Sequence, residues 1–275
     1  LILSAFISIL RSPQPSWVFE RMSSFSTPAI MLRRIDFGDY DLIITFFTLH
    51  RGKLSLIAKS AKKSTKRFVG ILEIFSVLDV VYSTGRRKGL PVLQEATLKQ
   101  PFSGIRSNIK KTGYASYWAE LINEWMEDGQ KHSQLFYLFQ HVLGELDHGR
   151  TSEEALSILF QMRFMTIAGL GPNLRHCTIC RMKMVEIKQT RLNFNLEKGG
   201  LICDGCSSGT LRKLYLSKGT IKQLLWIESG DLARAVRISF TSQALKEGLE
   251  FLEAFVPYHL GKEPRSLTFL REIRG

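Results

Sequence analysis

The sequence predicts an α+β chain of more than one domain: a small five-stranded barrel, then a helical domain carrying an inserted, ribbon-like four-cysteine element. Three observations predict this. Five β-prone segments separated by turns lie within residues 28–100. From Ile105 onward the apolar residues recur every three or four positions. All four cysteines fall in two C-x-x-C pairs, Cys177-Thr178-Ile179-Cys180 and Cys203-Asp204-Gly205-Cys206, with 22 residues between them.

The 275 residues allow one large domain or two to three small ones. Residues 1–10 are apolar but too short to span a bilayer, and no positive region precedes them. With the Pro-containing stretch to Arg21 they are expected to be an extension, poorly ordered or arising from an upstream start, because Met22 lies just before the first strand-like segment. No later stretch has the length and apolarity of a membrane span, so a cytoplasmic protein is expected.

The expected strands are Ala29–Arg34, Asp41–Thr48, Leu54–Lys59, Leu72–Tyr82 and Leu90–Leu98. Arg51-Gly52-Lys53 turns the chain between the second and third, and Gly85–Gly89 between the fourth and fifth. Five short strands with few helical signals fit a partly open barrel of the OB-fold type. Barrels of that kind take single strands in a basic groove with stacking aromatics. The expected domains are 22–104 for the barrel and 105–275 for the helical part, with the cysteine element at 175–210.

In the helical part, Tyr114, Tyr117, Trp118, Leu121, Ile122 and Trp125 share one helical face. Leu135, Leu138, Phe139, Val142, Leu143 and Leu146 mark a second helix that Gly149 ends. Thr151-Ser152-Glu153-Glu154 is a capping box for a third, running to about Ala168 before Gly169, Gly171 and Pro172. Ser217 caps a helix through Trp226, and Ser242 caps another carrying Leu245, Leu249, Leu252 and Phe255. These aromatic stripes are core.

The net charge of +13 is unevenly placed. Residues 28–112 hold 16 Lys and Arg against 6 Asp and Glu; residues 113–176 hold 4 against 8; residues 177–275 hold 16 against 10. A basic barrel followed by a mildly acidic helical segment points to a local polyanion surface. The sharpest cluster is Lys59, Lys62, Lys63, Lys66 and Arg67 on one inter-strand segment. Arg86, Arg87 and Lys88 add a hairpin tip, and Arg33 and Arg34 a strand. Such loops track phosphates without reading base sequence. Phe68, Phe75 and Tyr82 are candidates to stack on bases, although alternation also places Phe75 in the barrel core.

Each C-x-x-C turn aims two thiolates at one centre, and two such knuckles make a tetrahedral S₄ site suited to zinc. Cys177, Cys180, Cys203 and Cys206 are therefore expected to hold one zinc per chain. A closed set of four ligands leaves no position for water or substrate, so the expected role is structural. Two disulfides, a redox pair, or His176 in place of Cys177 are the weaker readings of the same residues. Residues 191–196 alternate like a strand, and Gly199-Gly200 turns the chain into the second knuckle.

No G-x-x-x-x-G-K-[ST] loop and no G-x-G-x-x-G fingerprint occurs. Asp36, Asp39 and Asp41 could hold Mg²⁺ for a nuclease, but a solvated turn explains them more simply. His50, His132, His141, His148 and His259 are scattered. The chain reads as a binding protein, not an enzyme.

Over about residues 28–275 the sequence resembles the RecO family of bacterial DNA-repair and recombination mediators. The matching residues are Gly38-Asp39-Tyr40-Asp41, Arg51-Gly52-Lys53, Ala58-Lys59, Arg67-Phe68, Gln94-Glu95-Ala96, Gly199-Gly200 with both cysteine pairs, and Ser266-Leu267-Thr268-Phe269-Leu270. Ser60 stands where the family often has Gly, and Leu170 where it often has an aromatic residue. The resemblance implies an N-terminal OB-fold, a helical domain and a zinc element. It implies binding to single- and double-stranded DNA, annealing of complementary strands, and help from RecR in loading RecA onto DNA coated with single-strand-binding protein. It also implies a cytoplasmic, nucleoid-associated protein. The rival readings are a nuclease that uses the basic barrel, and an RNA-associated accessory factor with zinc and OB elements.

Overall fold

The computed structural model of the chain describes residues 24–84, 89–207 and 214–274. The expected extension at 1–21 and the basic tip Arg86, Arg87 and Lys88 lie outside them.

Five strands form a closed barrel in the order β1-β2-β3-β5-β4. They are β1 (Ser24–Phe37), β2 (Asp41–Thr48), β3 (Gly52–Ala58), β4 (Val77–Ser83) and β5 (Val92–Gln100). β1 is long enough to pair with β4 through its first half and with β2 through its second. A parallel bridge, Ile57↔Val92, closes the barrel between β3 and β5. The interior is filled by Ala29, Met31, Leu42, Ile44, Phe46, Leu56, Leu78, Val80 and Leu93. The expected OB-like architecture is present.

The expected strand Leu72–Tyr82 is shorter than its sequence suggests and begins at Val77. Phe75 sits at φ +69, a left-handed conformation that stops the extended run. The strand also joins β1 sideways there, through Phe75 N–H to the Met31 carbonyl at 2.8 Å.

A bulge in β1 decides what faces outward. Ile30 pairs with Phe47 and Met31 with Phe46, but Arg33, not Leu32, pairs with Thr45. One extra residue flips the parity of the rest of the strand. Counting by twos from Ala29 and Met31 would turn Phe37 into the barrel; the bulge turns Arg33, Ile35 and Phe37 out.

The helical domain comprises α1 (Ser103–Arg106), α2 (Ile109–Trp125), α3 (Ser133–His148), α4 (Glu153–Ile167), α5 (Lys218–Ser229), α6 (Leu232–Ala235), α7 (Ser242–Leu260) and α8 (Arg265–Arg274). α4 is apolar nearly all round and is buried, as such a helix must be. Trp118 of α2 meets Phe160 of α4 at 5.4 Å, and Phe139 of α3 meets Phe160 at 6.1 Å. Two buried polar side chains of this core are paired: Tyr117 donates to Gln161 at 2.9 Å, and the Trp118 indole to Ser157 at 3.3 Å. The expected capping box is not formed: Ser152, not Thr151, is the N-cap, its hydroxyl accepting from Ala155 N–H, while the Thr151 hydroxyl donates to the Val236 carbonyl at 2.6 Å. α7 is capped by Thr241, one residue before the expected Ser242. No helix among the described residues is long and apolar enough to cross a membrane.

The barrel and helices share one interface. Ile30, Leu32, Phe47, Phe75 and Val77 are buried in the helical core cluster, with Phe47 5.9 Å from Phe136. Gly52, at φ +61, brings the β2–β3 turn so close to the chain at Gln130 that a Cβ would lie 1.9 Å from the Gln130 carbonyl oxygen. Beside it Lys53 donates to the Asn123 carbonyl at 2.9 Å, and Gly129 N–H to the Lys53 carbonyl at 3.1 Å.

Candidate metal centre and nucleic-acid interface

A three-stranded sheet, β7-β6-β8, carries the cysteine element: β6 (Arg191–Asn195), β7 (Gly200–Ile202) and β8 (Leu214–Ser217). The first knuckle is shaped by Cys177 N–H to the Met182 carbonyl at 2.8 Å and by Arg181 at φ +64. The second is a 3₁₀ turn, with Cys206 N–H on the Cys203 carbonyl at 3.0 Å. Backbone bonds lace them together: Thr178 N–H to Leu201 at 2.8 Å, and Leu201 N–H to Asn173 at 3.0 Å. Gly200 permits this, since a Cβ there would lie 2.4 Å from the Thr178 methyl group. Beneath the sheet, Phe194 is wedged 4.6 Å from Phe251 and 5.5 Å from Phe255 of α7.

The four sulfurs lie within 4.8 Å of one another, and Cys180 Sγ is 3.7 Å from Cys203 Sγ. A tetrahedron with metal–sulfur bonds of about 2.3 Å has edges of about 3.8 Å. A disulfide needs about 2.04 Å, and all four cysteines are free thiols. The donor set therefore fits a tetrahedral, thiolate-binding cation such as zinc. Burial opposes ionisation of Cys177, but N–H groups of Cys203, Cys180 and Ile179 outweigh it and hold its thiol at about 6. Burial pushes Cys203 up, and hydrogen bonding to Cys203 with burial pushes Cys206 up to about 12. A bound dication would hold the four sulfurs as thiolates. His176 stands outside the set: its Nε2 accepts from Arg181 at 2.9 Å and from Asn173 at 3.3 Å.

The basic segment after β3 is docked onto the tip of the β1–β2 hairpin. Ser60 N–H donates to Asp41 Oδ1 at 2.7 Å, and Lys62 N–H to the Tyr40 carbonyl at 3.0 Å. Lys62 Nζ lies 2.9 Å from Asp36, and Lys63 Nζ lies 3.4 Å from the centre of the Tyr40 ring. Arg67 donates to the Lys59 carbonyl at 3.2 Å and stands over Phe68. Lys59, Lys62, Lys63, Lys66 and Arg67 thus share one rim of the barrel. Of the three aspartates weighed above, Asp36 and Asp41 are used in this docking; Cys177, Cys180, Cys203 and Cys206 form the metal-ligating cluster found among the described residues.

Arg33 and Arg34 do not join that rim. Arg34 donates to the Leu72 carbonyl at 2.8 Å and lies 3.6 Å from Glu73, so it pins the loop before β4. Arg33 lines a groove of about 510 Å³ between the barrel and α2, with Glu120, Lys262 and Arg265.

The expected stacking residues are corrected. Phe68 and Tyr82 are buried in the barrel cluster, and Phe75 is buried against the helices, not in the barrel. The exposed aromatics of the barrel are Phe37, 51% exposed, and Tyr40, 45% exposed, both at the β1–β2 tip. Their position beside Gly38-Asp39 was the available signal: a hairpin tip has no layer above it to bury an aromatic ring.

Comparison with known proteins gives a consistent picture. Residues 22–102 match the family model Recombination protein O N terminal, and residues 106–268 match Recombination protein O C terminal. A protein of Desulfosudis oleivorans named DNA repair protein RecO is 44% identical over 258 residues, covering 92% of this chain and 99% of the relative. Proteins of the same name from Desulfatibacillum aliphaticivorans and Syntrophus aciditrophicus are 43% and 34% identical over 254 residues each, covering 92% of this chain and 98% and 97% of the relatives.

Proposed function

The chain belongs to the RecO family of DNA repair proteins, and on that premise we propose that it is a non-catalytic mediator that binds single- and double-stranded DNA and anneals complementary strands. With RecR it would help RecA onto DNA coated with single-strand-binding protein, in the cytoplasm at the nucleoid. The observation that carries the reading is the docked basic rim. Four contacts hold residues 60–63 against the hairpin tip, while Lys59 and Lys66 have no carboxylate partner among the described residues. Fixed cations on a barrel rim lower the repulsion between two phosphate backbones and let bases find their complements. No covalent step is needed.

Cys177, Cys180, Cys203 and Cys206 would hold one zinc, which supplies a cross-link between the knuckles and no reactive position. The barrel at 22–104 would carry the DNA contacts, and the helical part at 105–275, with its cysteine element at 175–210, would support it.

Salt titration of oligo(dT) binding tests this reading. Lys59→Ala and Lys66→Ala should each weaken binding whatever the sequence and reduce the log–log salt slope by about one. Slopes unchanged in both variants would move the DNA face off this rim.

A further inference from the structure

The outer wall of β1, β2 and β3 is divided. Leu42, Ile44 and Phe46 are buried in the barrel, so Asp41, Ile43 and Thr45 face outward with their cross-strand partners. Toward the helical domain this wall is covered, as Ile30 and Phe47 show. Away from it the wall is open and still apolar. Ile35, Ile43 and Ile57 lie side by side across three strands, and Phe37 stands at the end of the same face. Ile35 is 41% exposed and Phe37 51% exposed, while Ile43 and Ile57 are half-buried. An open barrel wall of this kind calls for polar side chains on its water face.

Cations bracket the patch. Arg33 continues the row of Ile35 and Phe37 at one end, and the Tyr40–Lys63 pair sits at the hairpin tip at the other. Lys59 follows Ile57 by two residues. Asp41 accepts from Ser60 N–H and exposed Asp36 pairs with Lys62, which leaves Asp39 at the turn as a further exposed carboxylate nearby. Tyr40 has one ring face covered by Lys63, whereas Phe37 has no stacked neighbour among the described aromatic pairs.

We infer that this face is a base platform: Phe37 stacks on a base of a single strand, the Ile35–Ile43–Ile57 row receives the neighbouring base, and Arg33, Lys59 and Lys63 hold phosphates. This rests on the DNA-binding reading above and adds which side chains meet the bases. The size of the patch favours a strand over a protein. Four partly exposed side chains offer on the order of a few hundred Å², whereas a stable protein interface takes about 800 Å² from each partner. An aromatic ring ringed by cations is also the composition that single-strand sites use, because every base has a π face.

The test is binding of the full chain to a labelled oligo(dT) of about 16 nucleotides and to an abasic strand of equal length, across a salt series. Phe37→Ala should weaken oligo(dT) binding about tenfold, within the range one stacked base supplies, and leave the salt slope unchanged. Phe37→Tyr should restore the affinity and Phe37→Leu should not. On the abasic strand parent and Phe37→Ala should bind alike. The inference is overturned if Phe37→Ala binds oligo(dT) as the parent does, or loses as much on the abasic strand; the patch then serves a protein partner. A parent that binds neither strand at low salt would instead overturn the DNA-binding reading itself.

Discussion

The sulfurs of Cys180 and Cys203, one from each knuckle, stand 3.7 Å apart. That separation is too long for a disulfide and matches the edge of a tetrahedral thiolate site. Two segments 22 residues apart are brought to this distance by backbone hydrogen bonds and by a glycine that lets them touch.

Metal analysis of the purified protein should return about one zinc per chain. Removing it with a strong chelator, or replacing Cys203 with Ser, should loosen the first knuckle, where Arg181 and Lys183 are exposed. Tryptic cleavage at those residues should accelerate. β6 should stay protected longer, because Phe194 is held by Phe251 and Phe255 independently of the sulfurs. Equal cleavage with and without metal would remove the structural role.

Gly52→Ala should be among the most damaging single-methyl changes in the barrel. The position has φ +61, and the new Cβ would meet the Gln130 carbonyl oxygen at 1.9 Å. Strain and displacement together should cost about 2–4 kcal/mol. Gly38→Ala is the control: its φ is +56 but the space around it is open, so only the conformational cost of about 1–2 kcal/mol should appear. Urea unfolding of the two variants compares them directly; equal midpoints would mean the turn is not wedged against residues 128–130.

Glu247 links α7 to the start of α5. It accepts from Ser217 N–H at 2.8 Å and from the Thr220 hydroxyl at 2.6 Å, with Gln243 at 2.9 Å. Burial opposes its charge, but these donors outweigh burial and hold the carboxyl below its ordinary value of 4.5. The stability it contributes is therefore complete above about pH 4.5 and is lost as pH falls through the lower folded value. Glu247→Gln should cost about 1.5 kcal/mol or more at neutral pH. The difference from the parent should shrink in acid. A pH-independent difference would show that packing, not charge, is the source.

The cysteine site was legible because metal ligands announce themselves by local spacing. The helices were legible because α2, α3 and α4 keep their apolar period. The barrel strands were legible in number but not in detail. The β1 bulge at Leu32 reverses which residues face outward, and no residue type in that strand marks it. Phe75 takes a left-handed conformation in a place fixed by tertiary partners, its ring buried against the helices and its N–H on the Met31 carbonyl. Arg34 reads as a free cation until the Leu72 carbonyl is brought to it. α8 is polar on average and owes its place to tertiary partners. Glu120 accepts from Arg265 N–H at 3.1 Å and Ser266 N–H at 2.8 Å, and Arg274 makes a two-pronged pair with Glu253 at 2.6 and 3.0 Å.

The most direct measurement of the central claim is annealing of two complementary, end-labelled DNA strands by the purified chain, without ATP and with or without Mg²⁺. The docked basic rim and the absence of a nucleotide-binding loop from the sequence predict faster duplex formation, independent of ATP, slowed by salt and by the Lys59→Ala, Lys66→Ala double variant, with strand lengths unchanged. Shortened strands from a homogeneous preparation, or no acceleration at salt concentrations where the protein binds DNA, would contradict it.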